Sequence, residues 1–519
     1  MEQVYGIGEQ SFSELRKYEQ VYVDKTSFIP LLIKNKFYFL SRPRRFGKSL
    51  FLSTLEQFFS GNKHLFNGLA VENFNWDWAQ YPVVRIDFSQ GGFHEENALK
   101  DRIHYVLESL EKQYDIPPFS GSISSRFDNL LKSLYQKFDR GVVVLVDEYE
   151  KPLLDVYGKK IFSTYRDDLA EFYSVFKGNS EIIRFLFLTG VTRFGHLNIF
   201  SGLNNLKDIS VDERFSTICG ITQQEIEEYL NPGVEKLANK IQVTTAEMVE
   251  LLKKMYDGYH FSSGMKDVYN PFSLLSALDF GEMNFYWAQT GNSTFLLNIL
   301  KAKNYDLYKL EDTVVSQSEL LGLDAEFMNP TTLLYQSGYL TIKNYELKNL
   351  RGLYRLGIPN KEVKQSLYSK LIPFYLGKED QFDDDESQKL NALLEQGKAE
   401  DMMRWLAAFF SKASFSTKLR YERDFQFIVY AIFAVVKMLD DIHMEYSMSS
   451  GVADLVVETS KFVYLFEFKV DQSPEEALSQ IDFRSYSLPW SASGRKVYKI
   501  GAVFSSVNNG ILQYRIIEG

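Results

Sequence analysis

The sequence predicts a mixed α/β chain: an N-terminal parallel sheet with flanking helices, a central and mostly helical region, and a second α/β unit at the C-terminus. Three observations predict it. Short apolar runs alternate with amphipathic helical patterns through the first half. From about residue 222 the apolar period becomes helical. A long apolar helix pattern near 420–438 then introduces a second group of apolar strands.

The first strands are FYFLS (37–41), VVRIDF (83–88), VVVLVD (142–147) and RFLFLTG (184–190). Continuous apolar runs of this length are buried on both faces, as in parallel sheets covered by helices. Helical patterns such as Leu50 to Phe59 and Leu107 to Tyr114 supply those covers. The middle contains TQQEIEEYL and TTAEMVELLKKMY, then YLTI (339–342) and GLYRL (352–356), read as two strands joined by a polar turn. Helices ending in a hairpin are compatible with a winged-helix-like module, which periodicity alone does not establish. The acidic stretch GKEDQFDDDESQ (377–388) reads as a solvated linker or helix-flanking loop, and strands follow near 452–458, 462–470 and 497–504. A division into 1–221, 222–376 and 377–519 follows.

Composition is consistent with about three domains for 519 residues. Hydrophobic residues make up 45% and charged residues 24%, enough for a buried core. The 42 Phe and 32 Tyr fall mostly in periodic apolar segments and read as core. Cys219 is the sole cysteine, which excludes an intrachain disulfide and a Cys-based metal cluster. It reads as a small buried hydrophobe. The start MEQVYGIGEQSF lacks a secretory pattern and no run reaches the roughly 18 apolar residues of a membrane span, so the cytoplasm is the expected location. A net charge of −10 argues against a surface generally coated by nucleic acid, but leaves room for a local basic groove.

Chemistry enters at FLSRPRRFGKSLFLSTL, where Gly47-Lys48-Ser49 follow a strand and open a helix. Free amides at a helix N-terminus and a lysine that reaches outer phosphates make this a phosphate-binding pattern. Arg45, Phe46, Gly47, Lys48, Ser49 and Leu50 would hold the nucleotide, with the Ser49 hydroxyl on Mg²⁺. The usual first glycine is replaced by Arg42. About a hundred residues on, Asp147 and Glu148 end an apolar strand, at the tip where open α/β sheets bind ligands. Asp147 is suited to hold Mg²⁺, and Glu148 to orient or deprotonate an attacking water. In RFLFLTGVTRFG, Thr189, Thr192 and Arg193 end a further strand, where a polar side chain could sense a terminal phosphate and an arginine could offset its charge. Loop chemistry explains them equally well. Arg42, Arg44 and Arg45 could touch ligand or simply solubilise. Tyr256, Tyr259 and Phe261 read as core rather than as base-stacking rings, and His260 as a satisfied loop histidine.

YVDKTSFI (22–29), SRPRRFGKSL (41–50), LVDEYEKPL (145–153), LTGVTRF (188–194) and IFSGLNNLKDIS (199–210) resemble the bacterial AAA-ATPase-like family. YDGYHF (256–261), VYNPFS (268–273) and YQSGYLTI (335–342) continue the likeness over most of residues 5–360. Its members carry an RPRRFGK[ST] loop without the usual glycine. The resemblance implies a P-loop ATPase sheet that binds, and is expected to hydrolyse, ATP.

The C-terminal signal is GVADLVVETSKFVYLFEFKV (451–470). Residues i and i+2 of a strand share a face, so Glu467 and Lys469 project together. A hairpin would bring Asp454 to Glu467. Two carboxylates form a hard oxygen site for Mg²⁺ or Mn²⁺, and a lysine positions water and offsets phosphate charge. An acid and a lysine inside FVYLFEFKV are costly unless paired or metal-bound. Ser473-Pro474-Glu475-Glu476 is a helix start, followed by Gln480.

This arrangement resembles the PD-(D/E)xK nuclease domain, with its restriction-endonuclease-like fold, over roughly 400–510. The resemblance maps Asp454, Glu467 and Lys469 to the catalytic core, Gln480 to a helix residue beside it, and Glu422 to a helix acid that joins the metal shell. Gly451-Val452-Ala453-Asp454 stands where the family often has G-R-x-D, so Val452 replaces an arginine. The expectation is an ATPase coupled to a Mg²⁺-dependent nuclease acting on DNA or RNA, with a homo-oligomer left open. The competing expectation is a regulatory ATPase switch whose nuclease fold only binds.

Overall fold

The computed structural model describes residues 3–193, 200, 203, 205–287, 294–303, 305–322, 329–376, 384–412, 421–436, 442–507 and 510–518. They form two compact units, Met1–Gln289 with Asp312–Asn360, and Thr290–Glu311 with Lys361–Gly519.

The first unit is built on strands β1 (Phe37–Ser41), β2 (Val83–Asp87), β3 (Val142–Asp147), β4 (Ile183–Gly190) and β5 (Lys207–Asp208), in the spatial order β2-β3-β4-β1-β5. All pairings are parallel. Every residue of β1 and β3 is buried, as their unbroken apolar runs require. Helices α1 (Lys48–Phe59), α2 (Ala98–Gln113), α3 (Ile123–Phe138) and α4 (Phe162–Gly178) accompany this sheet. In α3 the buried residues Phe127, Leu130, Leu131 and Leu134 follow the i, i+3, i+4, i+7 spacing of one helix face. Phe127 stacks on Phe172 of α4 with ring centroids 4.7 Å apart.

The order of strands has one consequence for chemistry. It places β4 between β1 and β3, so Ser41 pairs with Gly190 and Val146 with Leu188. The C-terminal tips of these three strands therefore lie side by side, where the chain leaves β1 for the phosphate-loop segment.

Beyond the sheet, α5 (Asn231–Ile241), α6 (Thr245–Tyr256) and α7 (Pro271–Phe280) enclose a separate apolar cluster that includes Tyr5 from the start of the chain. A reciprocal capping box between Thr244 and Glu247 fixes the start of α6. A small antiparallel sheet of β6 (Thr313–Ser316), β7 (Thr341–Lys348) and β8 (Arg351–Gly357), in order β6-β8-β7, carries helix α8 (Pro330–Ser337) in sequence between β6 and β7. β7 begins at Thr341, two residues later than YLTI suggests, and runs on to Lys348 through a mostly exposed segment. It closes through Asn349 and Leu350, both at positive φ, as a tight hairpin turn demands.

The second unit contains α9 (Lys361–Leu376), α10 (Asp384–Glu395), α11 (Ala399–Lys412), α12 (Glu422–Val436) and α13 (Pro474–Phe483). Residues 377–383 of the acidic stretch lie outside the described residues, and from Asp384 the chain is helical. Its sheet joins β9 (Ile442–Met448), β10 (Gly451–Glu458), β11 (Phe462–Val470), β12 (Lys496–Phe504) and β13 (Ile511–Glu518) in the order β13-β12-β11-β10-β9. β10 and β11 are antiparallel, whereas β11 and β12 are parallel and connected through α13. Phe433 and Phe425 of α12 contact Phe466 and Phe504 on one face. Leu478 and Ile481 of α13 pack with Val463 and Leu465 on the other. Among the described residues no helix is long and apolar enough to cross a membrane.

Candidate nucleotide and metal sites

Gly47 adopts φ +92°, a left-handed conformation that favours glycine, and stands at the N-cap of α1 without a side-chain cap. The first amides of α1 thus lack the side-chain acceptor that caps α3 or α13, the condition for anion binding at a helix end. Lys48 is only 4% exposed. Its ammonium donates to the Arg42 carbonyl at 3.0 Å and the Pro43 carbonyl at 3.2 Å, and lies 3.4 Å from the Glu148 carboxylate. Ser49 and Leu50 follow in the first turn, partly exposed. Phe46 is buried, edge-on to Tyr259 and Phe261, while Arg45 lies over Phe272 at 4.5 Å.

Arg42 has a structural role that the sequence did not suggest. Its guanidinium is buried and donates to the carbonyls of Ser41, Ser210 and Phe215 at 2.9, 2.7 and 3.1 Å. It also covers the Phe261 ring at 4.2 Å. The side chain standing in place of glycine pins the loop to the segment after β5, neither touching solvent nor reaching for ligand.

At the tip of β3, buried Asp147 accepts from the Thr189 hydroxyl at 2.7 Å. Glu148 has φ +52°, a conformation costly for a residue with a Cβ, and this turn brings its carboxylate to Lys48. Glu150 is fully buried, and its Oε1 accepts from the Val191 and Thr192 amides at 2.6 and 2.8 Å. Burial, reinforced by the Glu148 charge, pushes the Glu150 carboxyl up to about 8. Gly190 is required here, since a Cβ would come 2.2 Å from Glu150 Oε2. Arg193 turns to Asp208, 2.7 Å away, and its amide donates to Gln336. The structure therefore unites Lys48, Glu148 and the Asp147 tip, and gives the Arg193 guanidinium a carboxylate partner of its own. These residues fit a nucleotide with its divalent ion: uncapped amides, a buried ammonium, and two acids at one strand tip.

The second site lies on the sheet of the other unit. Leu455 pairs with Phe466 in the antiparallel register of β10 and β11, which sets Asp454 opposite Glu467. Asp454 Oδ2 accepts from the Phe468 amide at 2.7 Å. Lys469 donates to Glu467 Oε1 at 3.1 Å and to the Phe468 carbonyl at 3.0 Å, and is 3.8 Å from Glu422. Glu467 is 1% exposed, and its Oε2 is buried without a hydrogen-bond partner. Burial pushes Glu467 up to about 7, with the Asp454 charge adding to it and Lys469 opposing. Burial likewise lifts Asp454 to about 6, against the Phe468 amide, and raises Glu422. Burial thus disfavours the charged forms of both acids even with Lys469 beside them, and a divalent ion would offset that cost. Among the described residues no three His, Cys, Asp or Glu side chains stand together as a finished metal cluster. The fit rests on the Asp454–Glu467 pair with its orphaned oxygen.

Helix α13 begins as its sequence indicates, with Ser473 as cap and Pro474 in the first turn. It approaches the sheet closely at Gly501, the β12 partner of Glu467, where a Cβ would lie 2.5 Å from the Pro474 carbonyl. Gln480 lies on this helix and lines an open groove with Val452.

Comparison with known proteins finds one relative along nearly the whole chain and two family models on separate parts of it. A protein of Azotobacter chroococcum mcd 1, described as an uncharacterized protein in the vnfD 5' region, is 34% identical over 522 residues, covering 98% of each chain. The AAA-ATPase-like family model, described as a predicted AAA-ATPase, matches residues 6–200. The chain belongs to the AAA-ATPase-like family. A model for the PD-(D/E)XK nuclease superfamily matches residues 420–513.

Two residues at the sites of this AAA-ATPase-like protein carry no motif signal of their own, Glu150 and Gln426. Glu150 is the last acid of Asp147-Glu148-Tyr149-Glu150, and burial of an acid is not visible in so short a motif. Arg42, a candidate for touching ligand, is instead a structural tie within the loop. Gln426 donates to the Asp454 carbonyl at 2.6 Å, and its signal was its position one turn after Glu422 on the same helix face.

Proposed function

We propose that this AAA-ATPase-like protein binds and hydrolyses ATP in its first unit and uses that cycle to control a Mg²⁺-dependent phosphodiesterase site in its second. The observation that carries the reading is the buried Asp454–Glu467 pair with Lys469 hydrogen-bonded beside it. As functional divisions we keep 1–221 for the ATPase core, 222–376 for the coupling region and 377–519 for the nuclease-like domain.

In the first site, Lys48 and the amides from Gly47 onward would hold the phosphates, with Arg45, Phe46 and Leu50 shaping the loop. Ser49 and Asp147 would hold Mg²⁺. Glu148 would orient a water, a role supported by its carboxylate facing Lys48 at 3.4 Å. In the second site Asp454 and Glu467 would hold Mg²⁺ or Mn²⁺, with Glu422 able to join them. A bound divalent ion lowers the pKa of water and withdraws charge from a phosphoryl oxygen. Lys469 would supply a fixed positive charge for the developing negative charge on phosphate, and Gln480, on α13, a hydrogen-bonding amide. The substrate class is DNA or RNA, and the cytoplasm is the location we assign.

A second reading is a regulatory ATPase whose nuclease fold binds without cutting. The exposed Val452 in place of the family's arginine favours it. Purified parent, Lys48→Ala and Asp454→Ala decide between the two. The nuclease reading expects Mg²⁺-dependent cleavage that Asp454→Ala abolishes, and ATP turnover that Lys48→Ala abolishes. Cleavage unchanged in Asp454→Ala contradicts the site. Absence of cleavage with intact ATP turnover selects the binding module.

A further inference from the structure

Helix α13 ends on a ring that the fold leaves in water. Phe483 is 84% exposed, although Ala477, Leu478 and Ile481 of the same helix are buried. A single exposed phenyl needs no explanation on an ordinary surface. This one stands on the rim of an open groove of about 610 Å³, with Gly451, Val452, Gln480, Arg484 and Tyr486 among its lining.

The groove is built from the elements that carry the acid pair. Val452 precedes Asp454 by two residues on β10, and α13 packs on Val463 and Leu465 of β11, the face that Glu467 shares by strand alternation. Its walls are held in place: the Tyr486 hydroxyl donates to the Val452 carbonyl at 2.6 Å, and Arg484 donates to the Ser450 carbonyl at 3.3 Å. The Arg484 guanidinium lies 5.8 Å from the Phe483 ring centre. No carboxylate pairs with Arg484 among the described residues.

We propose that Phe483 and Arg484 form a docking ledge for an unpaired nucleotide of a single-stranded nucleic acid. The base stacks on the Phe483 ring, Arg484 takes the adjoining phosphate, and the strand runs on past Val452, two residues before Asp454 on β10. The proposal rests on the nuclease reading and adds its substrate class. An exposed aromatic face is useful only to a base whose own face is free, which a duplex interior does not offer. Base stacking also contributes affinity that does not depend on the chain's net charge of −10.

The test uses the full chain carrying Asp454→Asn, so that probes survive, and fluorescein-labelled DNA of about 20 nucleotides, single-stranded or as a blunt duplex, followed by anisotropy. The ledge predicts tighter binding of the single strand. It predicts that Phe483→Ala raises the single-strand Kd about tenfold, as loss of one stacked base would. Phe483→Trp should restore it within about twofold, and duplex binding should not follow either change. The unfolding midpoint of Phe483→Ala should match the parent, because the ring is exposed. Unchanged single-strand binding in Phe483→Ala, or a preference for duplex, overturns the proposal. If the chain without Asp454→Asn cleaves in Mg²⁺ yet Phe483→Ala leaves single-strand binding intact, the ledge fails and the nuclease reading stands. If it neither binds nor cleaves either form, both fail.

Discussion

Lys469 donates to Glu467 at 3.1 Å from two positions along the same strand, so an ammonium and a buried carboxylate share one face of β11. The strand period makes this contact, and the antiparallel register supplies Asp454 from the neighbouring strand. Lys469→Ala should lower phosphodiester cleavage by about 10²-fold or more, the usual cost of removing a fixed group that stabilises transition-state charge. Its Mn²⁺ affinity should hold or rise, since a positive neighbour is removed. Initial rates beside a metal titration separate the two effects.

The strained turn at Glu148 predicts a different split. Glu148→Gln should bind ATP within about threefold of the parent, because Lys48 and the α1 amides remain. Hydrolysis should fall by about 10²-fold to 10⁴-fold if the carboxylate handles the water. Nucleotide binding by fluorescence and phosphate release measured on the same preparation check this.

Arg42→Gly restores the usual glycine of a phosphate loop, yet it should harm the protein. Three backbone carbonyls lose the buried guanidinium that satisfies them, and Phe261 loses its cover. The loss should be about 3 kcal/mol or more in chemical denaturation.

That substitution also marks how far the sequence could be read. VVVLVD and FVYLFEFKV revealed their strands because continuous apolar runs leave little alternative, and the sites lay where those runs meet charged residues. β9 and β13 were invisible, since IHMEYSM and ILQYRIIE mix polar and apolar residues at a sheet edge. The first strand of the hairpin over 341–357 is only half legible, since YLTI covers Thr341 and Ile342 alone and the mostly exposed Lys343 to Lys348 carry little apolar signal. Arg42 and Glu150 could not be assigned from type, since a charged residue reads as exposed until its partners are known. Those partners, Ser210 and Phe215 for one and the Val191 and Thr192 amides for the other, lie far along the chain.

Glu150 gives a pH signature. Its carboxyl is raised to about 8 in the folded protein, against 4.5 for the ordinary value. Between those limits the native state holds a proton that the unfolded state has released, so stability falls as pH rises through this window and levels off above it. Glu150→Gln keeps an amide oxygen for the Val191 and Thr192 amides and removes the titration. Its unfolding free energy should therefore gain on the parent from pH 5 towards pH 8, as measured by urea titration at each pH. A parent and variant with parallel profiles would contradict the buried, protonated Glu150.

The most direct measurement is a Mn²⁺ titration of the nucleotide-free chain, following the paramagnetic signal of the free ion. The account predicts a bound ion in the parent that Asp454→Asn and Glu467→Gln each weaken by about tenfold or more, and that Lys48→Ala leaves unchanged. Equal Mn²⁺ binding in the parent and Asp454→Asn would contradict it.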